Sequence, residues 1–535
     1  MVDPARLRRV ASRPRVFIVS DISNEPDDAQ SLVRLLLYAN ELDIVGLVAC
    51  TSCWMRRKVR PEDMHAIVRA YGRVVGNLNA HVHPDNQYPS EAYLQSIIKP
   101  GPPVYGREAL AEGYPLSEGA RLLIDAADDA TTSETPLWVL SWGGVNVLAQ
   151  ALQHVHATRS PAAARSFRAR LRVYTISDQD DCGHWIRVNY PDILYICSLH
   201  AWGEYGCATW TGISGDVLMK SLDTGGPDTS LVTKEWLAAN IQTVGSPLGE
   251  VYPDASFIME GDTPTFLYLI QNGLGVPEQP SWGSWGGRYG LVDLGGSARH
   301  YADVKDTVTG KDGKMHRSGQ ASIWRWREAY QGDFAARMQW TLTADREKAS
   351  HAPVVVVNDS SAGAEAYYID AEAGSELVLD ASRSYSPDHT EEHGGGLTFE
   401  WYHYKEPTTT GSLVHWPSVP DVEFVPSSSS GGSDKANMHG SVVKVAIPAP
   451  ETCAVDILTG QPLQKGQVLH FILTVKSSGT GAAIRTTTTY KRLVVQVTNR
   501  AGRGGRDLAG RTFDTVTEAL GFSTGQERLE EGSGR

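Results

Sequence analysis

The chain has 535 residues, of which 41% are hydrophobic and 21% charged, a balance typical of a globular protein with more than one domain. Its 49 basic and 62 acidic residues give a net charge of -13, which argues against nucleic acid and anionic membranes as partners. The sequence contains no run of about 20 apolar residues, so we predict no membrane-spanning helix.

The N-terminal residues include no apolar segment of the kind found in a secretory signal peptide. We therefore expect a cytoplasmic protein, or an extracellular one if a leader precedes the sequence given. Six cysteines are too few to indicate a disulfide scaffold in a chain of this length.

The first predicted strand leads into a strongly acidic turn. Residues Arg15 to Ser20 predict a buried strand, and the apolar spacing of Asp27 to Ala39 predicts a helix. One interpretation is that the acids between them cap the helix and favour its positive end. The other is that a cation or a polyol holds them, because four neighbouring carboxylates repel one another. The four acids are Asp21, Glu25, Asp27 and Asp28.

The alternation of apolar strands and amphipathic helices continues to about residue 345. Further strands are predicted at 42–49, 137–141, 171–177 and 193–198, and further helices at 61–75, 116–127, 145–154 and 263–272. This pattern predicts an α/β domain over residues 14–345, with an open, mostly parallel sheet and flanking helices. In such a sheet the ligand site lies at the carboxyl edge of the strands.

A glycine turn follows the strand predicted at 137–141. Gly143 and Gly144 lead into the helix near Asn146, and glycine lets the backbone approach a ligand closely. We therefore expect Asn146 to contact the substrate.

Another acidic loop precedes the helix predicted at 263–272. Asp262 stands at a helix N-cap position, which is one explanation for it. Together with Asp21 and Asp28 it would instead supply carboxylate oxygens to Ca²⁺, which collects such ligands from separate loops. Glu260, two residues earlier, is a candidate for substrate binding.

Two further segments contain residues suited to a sugar site. The loop after the strand at 171–177 is rich in acids, although a solvated acidic turn would have the same composition. A later glycine-rich segment contains tryptophans with flat faces for sugar rings, although some tryptophans must belong to the core. The candidates are Asp178, Asp180, Asp181, His184 and Trp185 in the loop, and Trp282 and Trp285 in the glycine-rich segment.

After residue 348, β-rich runs separated by Gly, Ser, Pro and Asp replace the helical periodicity. Runs at 353–357, 375–380, 397–402, 470–476 and 490–497 predict an all-β sandwich over residues 350–500. We expect this domain either to brace the first domain or to bind glycan. Residues 501–535 are rich in Gly, Arg and Glu, which predicts a peripheral or disordered tail.

Together these motifs resemble nucleoside hydrolases. The turn from Asp21 to Asp28 is similar to the family signature Asp-x-Asp-Pro-Gly-x-Asp-Asp. The Ser-Trp-Gly-Gly-Val-Asn turn and the segments that begin at Met259 and Trp282 are similar to a divergent, carbohydrate-associated branch often labelled cellulose-binding. That resemblance covers residues 14 to 500. It implies a nucleoside-hydrolase-like domain followed by an Ig-like or polycystic-kidney-disease-type sandwich.

The resemblance also implies roles for individual residues. By the family pattern, Asp28 and Asp262 would ligate Ca²⁺, and Asp21 would belong to the same metal group. The backbone carbonyl near Val145 would complete the cation shell. The equivalent of Asp27 binds sugar hydroxyls.

Ser23 departs from the family pattern, because it occupies the position of the acid that both ligates the metal and activates water. Serine is a poor general base at neutral pH, so Asp21, Asn24 or Glu25 would have to replace it. Asn24 is also a candidate for substrate binding. Gly261 stands where many nucleoside hydrolases have a histidine that helps the base to leave, which argues against nucleosides as substrates.

The sequence therefore predicts a hydrolase of glycosyl bonds in glycosides or oligosaccharides, with Asp21, Glu25 and Asp27 as catalytic residues. Ca²⁺ is its proposed cofactor, and a carbohydrate or glycoside its partner, with a homo-oligomer as an open option. Two alternatives stay open. One is a carbohydrate-binding or cellulose-binding protein on a degenerate hydrolase scaffold, and the other is a nucleoside N-ribohydrolase.

Overall fold

The computed structural model describes residues 2–129, 135–218, 223–293, 296–389, 396–409, 419–427, 440–455, 461–477, 485–502, 505–506 and 512–513. The first region of the chain forms a large sheet with flanking helices, which confirms the predicted α/β architecture. The second region forms smaller sheets around a separate core, as predicted for an all-β sandwich. Most of the predicted tail, residues 501–535, lies outside the described residues.

The main sheet has eight strands within the described residues. They are β1 (Arg15–Ser20), β2 (Asp43–Ala49), β3 (Ile98–Pro100), β4 (Leu137–Ser141), β5 (Leu171–Ser177), β6 (Leu194–Ser198), β7 (Tyr289–Leu291) and β8 (His300–Asp303). Their order is β3-β2-β1-β4-β5-β6-β8-β7, and all neighbours are parallel except β7 and β8. The strand order reverses between β1 and β4, where an α/β sheet opens a crevice for ligands.

Helices connect most of these strands and extend into the second region. They are α1 (Asp27–Leu37), α2 (Pro61–Gly72), α3 (Val75–Ala80), α4 (Glu91–Ser96), α5 (Glu118–Asp128), α6 (Asn146–Thr158), α7 (Pro161–Ala169), α8 (Cys182–Asn189), α9 (Gly215–Leu218), α10 (Lys234–Leu237), α11 (Pro264–Leu267), α12 (Ala321–Trp324), α13 (Arg327–Trp340), α14 (Glu406–Thr409) and α15 (Pro450–Cys453). Within the described part of the chain, no helix combines the length and apolar character needed to cross a bilayer.

Strand β1 is central because both of its faces are buried. Val16 and Ile18 join the core on one side of the main sheet, and Phe17 and Val19 join the core on the other. This division follows from the alternation of side chains along a strand. The next residue, Asp21, therefore emerges at the carboxyl edge of the sheet with packed layers on both sides.

The prediction of a helix over residues 263–272 is wrong beyond the first turn. Regular helix is limited to Pro264–Leu267, and the chain continues in tighter turns. The backbone of Gly286 packs against this segment so closely that any side chain there would collide with Tyr268. This long-range contact is not visible in local periodicity.

The second region follows a hairpin of β9 (Asp306–Thr309) and β10 (Met315–Ser318). Its sheets have the orders β11-β17-β16-β13 and β12-β15-β14, with a further pair, β18 and β19. The run predicted at 353–357 makes only an isolated bridge, from Val354 to Tyr385. The strands are β11 (Tyr367–Glu372), β12 (Glu376–Asp380), β13 (Leu397–His403), β14 (Phe424–Pro426), β15 (Val442–Ala446), β16 (Lys465–Ser477), β17 (Thr487–Thr498), β18 (Gly505–Arg506) and β19 (Thr512–Phe513).

The two regions are joined along β17. The amide of Tyr490 donates to the carbonyl of Asn272 (2.8 Å), and the Arg492 guanidinium donates to the carbonyl of Leu274 (2.7 Å). Gly273 has a left-handed φ of 87°, and any side chain on it would collide with the carbonyl of Tyr490. The contact between the regions is therefore made by the main chain as well as by side chains.

Candidate functional site

Four buried acids meet at the carboxyl edge of the main sheet, and we call them the acid centre. Asp21 directly follows β1, and Asp262 precedes α11. Asp27 and Asp28 form the first turn of α1, where negative charge is favourable. The carboxylate oxygens of Asp27, Asp28 and Asp262 lie within 4.8 Å of one another. The carboxylates predicted as metal ligands were those of Asp21, Asp28 and Asp262. In the structure the close group of three contains Asp27 in place of Asp21.

Neighbouring residues fix the positions of these carboxylates. Ser20 Oγ donates a hydrogen bond to Asp28 Oδ1, and the side chain of Ser52 hydrogen-bonds to Asp21. A Cβ atom on Gly143 would lie 2.7 Å from Asp21 Oδ1. The sequence predicted that a ligand approaches the backbone of this glycine turn closely. In the structure the Asp21 carboxylate lies at that position.

The pKa values of the four acids are raised, chiefly because burial removes the solvation of the charged form. The pKa of Asp21 rises to about 6 and that of Asp27 to about 7, with repulsion from neighbouring carboxylates adding to the effect. For the same reasons the pKa values of Asp28 and Asp262 lie well above the usual range. No lysine or arginine of the described chain pairs with these acids to offset the repulsion.

This donor set fits a hard divalent cation. The Oδ2 atoms of Asp21 and Asp262 are buried and have no hydrogen-bond partner among the described residues. Buried charges are normally paired or bound to metal, and Ca²⁺ takes about 6–8 oxygen ligands. Asp27, Asp28 and Asp262 are the residues best placed to hold such an ion.

Backbone strain is concentrated in the two loops that contain the acids. Among described residues other than glycine, left-handed φ angles occur at Ser23 (73°), Phe257 (63°), Glu260 (53°) and Asn358 (49°). The first three lie in these loops. Such conformations cost about 1–2 kcal/mol each and tend to cluster at functional sites.

The residues between β1 and α1 differ in their relation to the acid centre. Ser23 is exposed, and its Oγ donates to Asp63 Oδ2 at 2.6 Å, so it does not replace the family acid. The backbone N–H of Asn24 donates to the backbone carbonyl of Asp21 (3.1 Å). A contact of the Asn24 side chain with substrate stays a prediction. Glu25 is half-buried, and burial raises its pKa.

Glu260 is enclosed in a charged network. Its Oε2 pairs with Arg34 (2.7 Å), and its Oε1 accepts a hydrogen bond from the Tyr252 hydroxyl (2.8 Å). Both carboxylate oxygens are occupied, which corrects the prediction that Glu260 binds substrate. The pair instead ties α1, which contains Asp28, to the loop that contains Asp262.

The start of α6 is also part of this edge of the sheet. The carbonyl of Val145 accepts the helical hydrogen bond from Ala149 (3.0 Å), and its role as a metal ligand stays a prediction. Asn146 is buried, and its Nδ2 donates to Thr51 Oγ1 (3.0 Å) and to the Val104 carbonyl (2.9 Å). These bonds anchor the loop after β2, while a substrate contact of Asn146 stays a prediction.

Two of the acids predicted to form a substrate loop after β5 have contacts within the protein, and the third, Asp180, is buried with an Oδ2 that has no hydrogen-bond partner among the described residues. Asp178 makes a bidentate ion pair with Arg187, in which Nη1 lies 2.8 Å from Oδ1. Asp181 accepts a hydrogen bond from the Arg107 amide (2.8 Å). Both residues stay exposed, so their contact with sugar hydroxyls stays a prediction.

The aromatic candidates also have structural contacts. His184 is exposed on α8, and Trp185 packs edge-on against Tyr190, with ring centroids 5.5 Å apart. Trp285 is only 1% exposed, so neither of its faces can stack on a sugar. Trp282 packs edge-on against His470 with centroids 4.7 Å apart, which places it at the junction of the two regions.

Two aromatic residues next to the acid centre were missed by the sequence analysis. A Cβ on Gly261 would lie 2.8 Å from Asp27 Oδ2 and 3.1 Å from the indole of Trp210. The ring of Tyr205 packs edge-on against Trp210, with centroids 5.4 Å apart. Both aromatics lie in short 3-10 turns after β6, Trp202–Cys207 and Thr209–Ile213, which have no periodicity that would reveal them.

Comparison with known families agrees with this architecture. Residues 15–289 match the model described as "Cellulose-binding Sde182, nucleoside hydrolase-like domain". Residues 376–497 match that of "Cellulose-binding protein Sde0182, C-terminal domain". The two matches confirm the predicted resemblance in both regions of the chain.

Comparison with solved structures gives the same result over nearly the whole chain. A nucleoside hydrolase-related hypothetical protein from Saccharophagus degradans, associated with carbohydrate metabolism, is 31% identical with a TM-score of 0.67. The match covers 91% of this chain and 100% of that one. The effector protein XOO4466 is 10% identical with a TM-score of 0.25 over 64% of this chain and 95% of its own, too low for any inference. No curated protein matches the sequence.

Proposed function

The chain belongs to the family of Sde182 cellulose-binding proteins with a nucleoside hydrolase-like domain, and from this premise we propose that its acid centre hydrolyses glycosyl bonds of carbohydrates. Both family models are named for cellulose binding, and the relative from Saccharophagus degradans is described as associated with carbohydrate metabolism. The observation that carries the proposal is the set of four buried carboxylates that have no basic partner in the described part of the chain.

In this proposal Asp21 is the base that activates water. Its Oδ2 lacks a partner among the described residues, and a pKa of about 6 leaves it mostly ionised at neutral pH. Glu25 is half-buried with a raised pKa, which suits a group that gives a proton to the leaving oxygen. Asp27, beside both of them in the turn, would accept hydrogen bonds from sugar hydroxyls.

The metal-binding part of the proposal rests on Asp27, Asp28 and Asp262. A Ca²⁺ ion held there would supply positive charge that orients sugar hydroxyls. The chain fixes the carboxylates beforehand, because Ser20 orients Asp28 and the pairing of Glu260 holds the loop of Asp262. Preorganised ligands lose little freedom on binding, which favours affinity.

A substrate screen tests this proposal. The purified full chain is incubated with aryl glycosides, cello-oligosaccharides and nucleosides, with Ca²⁺ or a chelator, and released sugar is quantified. We expect glycoside or oligosaccharide turnover that falls about 100-fold in Asp21→Asn, the size of effect typical for loss of a general base. Asp359→Asn is the matched control, because that carboxylate is fully exposed in the second region.

The outcomes of the screen separate the proposals. Turnover of nucleosides alone would establish the N-ribohydrolase alternative. Equal turnover in Asp21→Asn and the wild type would exclude Asp21 as the base. Unchanged turnover in chelator, with no Ca²⁺ in the purified protein, would exclude the metal.

A second candidate function, carbohydrate binding without catalysis, is favoured by Ser23. The position of the family's acid is occupied by a serine, so the site lacks that carboxylate. The serine hydroxyl also points away from the site, because it donates to Asp63. Sugar binding by the wild type with no product from any substrate would support this candidate over hydrolysis.

A further inference from the structure

Two exposed aromatic side chains lie in loops that contact or contain the acid centre. Trp54, in the loop after β2, is 47% exposed, and Phe257, in the loop before α11, is 70% exposed. A third aromatic residue, Tyr205, is half-buried in the segment after β6. Single exposed aromatics are common on proteins, so their meaning depends on where they lie relative to the site.

Trp54 is tied to the acid centre through one side chain. Its amide donates to Ser52 Oγ (3.0 Å), and the same side chain hydrogen-bonds to Asp21. The amide of Met55 donates to Ser52 Oγ as well (3.1 Å), so the loop closes around this hydroxyl. The backbone of Trp54, which carries the exposed indole, is therefore one side chain away from Asp21.

Phe257 lies in a strained turn close to the acid centre. The amide of Ile258 donates to the carbonyl of Ser256 (2.7 Å), which closes a γ-turn around Phe257 with a φ of 63°. This turn is rare and unfavourable for a residue with a side chain. A Cβ on Gly261 would lie 3.3 Å from Ile258 and 2.8 Å from Asp27, so the turn adjoins the acids.

Tyr205 lies between these two loops. Its phenol hydrogen-bonds to Ser177 and lies close enough to Asp262 and Cys53 for their negative charge to raise its pKa, after the larger effect of burial. Cys53 directly precedes Trp54 in the chain, and Asp262 belongs to the loop of Phe257. The three aromatic residues thus belong to three different loops that adjoin the acid centre.

We propose that Trp54, Tyr205 and Phe257 form an aromatic rim that binds the sugar units next to the unit held at the acid centre. The substrate would then be an oligosaccharide or the end of a polysaccharide chain, in preference to a monosaccharide glycoside or a nucleoside. This inference rests on the proposed placement of a sugar at the acid centre. Flat aromatic rings cover the apolar faces of sugar rings, and burial of such faces stabilises the complex.

The strain at Phe257 supports this function over a packing role. A phenylalanine that is 70% exposed gains little stability from packing in return for an unfavourable backbone. Glycine would adopt the same φ without that cost. A bulky ring kept at such a position is explained by contact with a ligand outside the protein.

The experiment measures binding of hexasaccharides and monosaccharides to the full chain by calorimetry. The probes are cellohexaose, xylohexaose and mannohexaose, with glucose, xylose and mannose for comparison. The variants are Trp54→Ala and Phe257→Gly, and the second keeps the turn while removing the ring. Tyr368→Ala is the matched control, because that ring is 65% exposed in the second region.

We expect about tenfold weaker binding of the preferred hexasaccharide in each rim variant, which corresponds to about 1.4 kcal/mol. Tyr368→Ala and the Ca²⁺ affinity of all variants should be unchanged. Unaltered hexasaccharide binding in both rim variants would overturn the inference, as would binding of no hexasaccharide by the wild type. Rim-dependent binding without any hydrolysis would uphold the rim and reject the catalytic proposal.

Discussion

The acid centre and the junction between the two regions both bury aspartates, with opposite results. At the junction Asp306 accepts hydrogen bonds from Arg288 (2.6 Å), Arg325 (2.9 Å) and the Tyr404 hydroxyl (2.6 Å), and its pKa is lowered. At the acid centre Asp28 is similarly buried, yet its pKa is raised well above the usual range. The difference lies in the neighbours, since burial opposes the charged form at both places.

This contrast indicates what each cluster is for. A carboxylate surrounded by arginines is internally satisfied and holds two parts of the chain together. Carboxylates surrounded by carboxylates are satisfied only by something from outside, either protons or a cation. The predictions below test that distinction, in order of expected effect.

The largest effect is expected at the junction. Asp306→Ala leaves Arg288 buried without its carboxylate partner and removes the nearer of two carboxylates from Arg325, which should lower the free energy of unfolding by about 3–5 kcal/mol. Urea denaturation monitored by tryptophan fluorescence measures this change. Asp359→Asn, at an exposed carboxylate, serves as control, and a loss below about 1 kcal/mol would contradict our assignment of the junction.

At the acid centre we expect a substitution to raise the free energy of unfolding. Asp27→Asn removes a repelled carboxylate and should stabilise the calcium-free protein by roughly 2 kcal/mol above pH 7. The gain should shrink as the pH falls from 7 toward 4, because the folded wild type then takes up the proton that the unfolded chain, with an ordinary pKa of 3.8, does not yet bind. Urea denaturation at several pH values in chelator tests this, and destabilisation by Asp27→Asn under these conditions would refute it.

A smaller effect is expected for the pair that positions the acids. Glu260→Gln should weaken Ca²⁺ binding about tenfold, since residues that orient metal ligands typically account for 10–100-fold in affinity. Calorimetry with Ca²⁺ gives the affinity, and thermal unfolding reports the fold.

Asp216→Asn is the matched control for this variant. Asp216 forms a buried ion pair with Arg327 (2.6 Å), outside the acid centre, so it should lower stability without changing Ca²⁺ affinity. Equal changes in Ca²⁺ affinity in both variants would show that Glu260 acts only through general stability.

The smallest effect is expected from His81 at the junction. Burial lowers its pKa to about 4, and its Nε2 bonds to the Thr343 carbonyl (2.7 Å) while its Nδ1 faces His351 (3.1 Å). A histidine buried in its neutral form stabilises the fold above pH 6.5, and that stability is lost as the pH falls toward 4. From pH 7.5 to 6 the wild type should lose about 1 kcal/mol more than His81→Gln in urea denaturation. Parallel pH profiles would contradict this.

Local patterns in the sequence predicted the framework and the centre of the site. The apolar run of β1 and the helical spacing of α1 depend on neighbours in the chain, so their positions and the crowding of Asp21, Asp27 and Asp28 were predictable. Asp262 was predictable as well, because the resemblance and the helix-start position both indicated it. The roles of these residues remain predictions.

Contacts between distant residues explain what the sequence analysis missed. Trp285 is buried by contact with Tyr490, 205 residues later, and Glu260 is bound by Arg34, 226 residues earlier. Their residue types made Trp285 and Glu260 candidates for binding substrate. Only the fold shows that other residues of the protein already contact these side chains. Phe257 was missed for the converse reason, because nothing in its local sequence distinguishes an exposed ring from a buried one.

The main-chain contact of Gly273 with Tyr490 bears on how such genes can be recombined. A gene fusion that joined the first region to a different module would leave the carbonyls of Asn272 and Leu274 without their donors. It would also uncover Trp285, which the second region now shields. Exchange of modules by recombination should therefore succeed only when both regions move together, as one heritable unit.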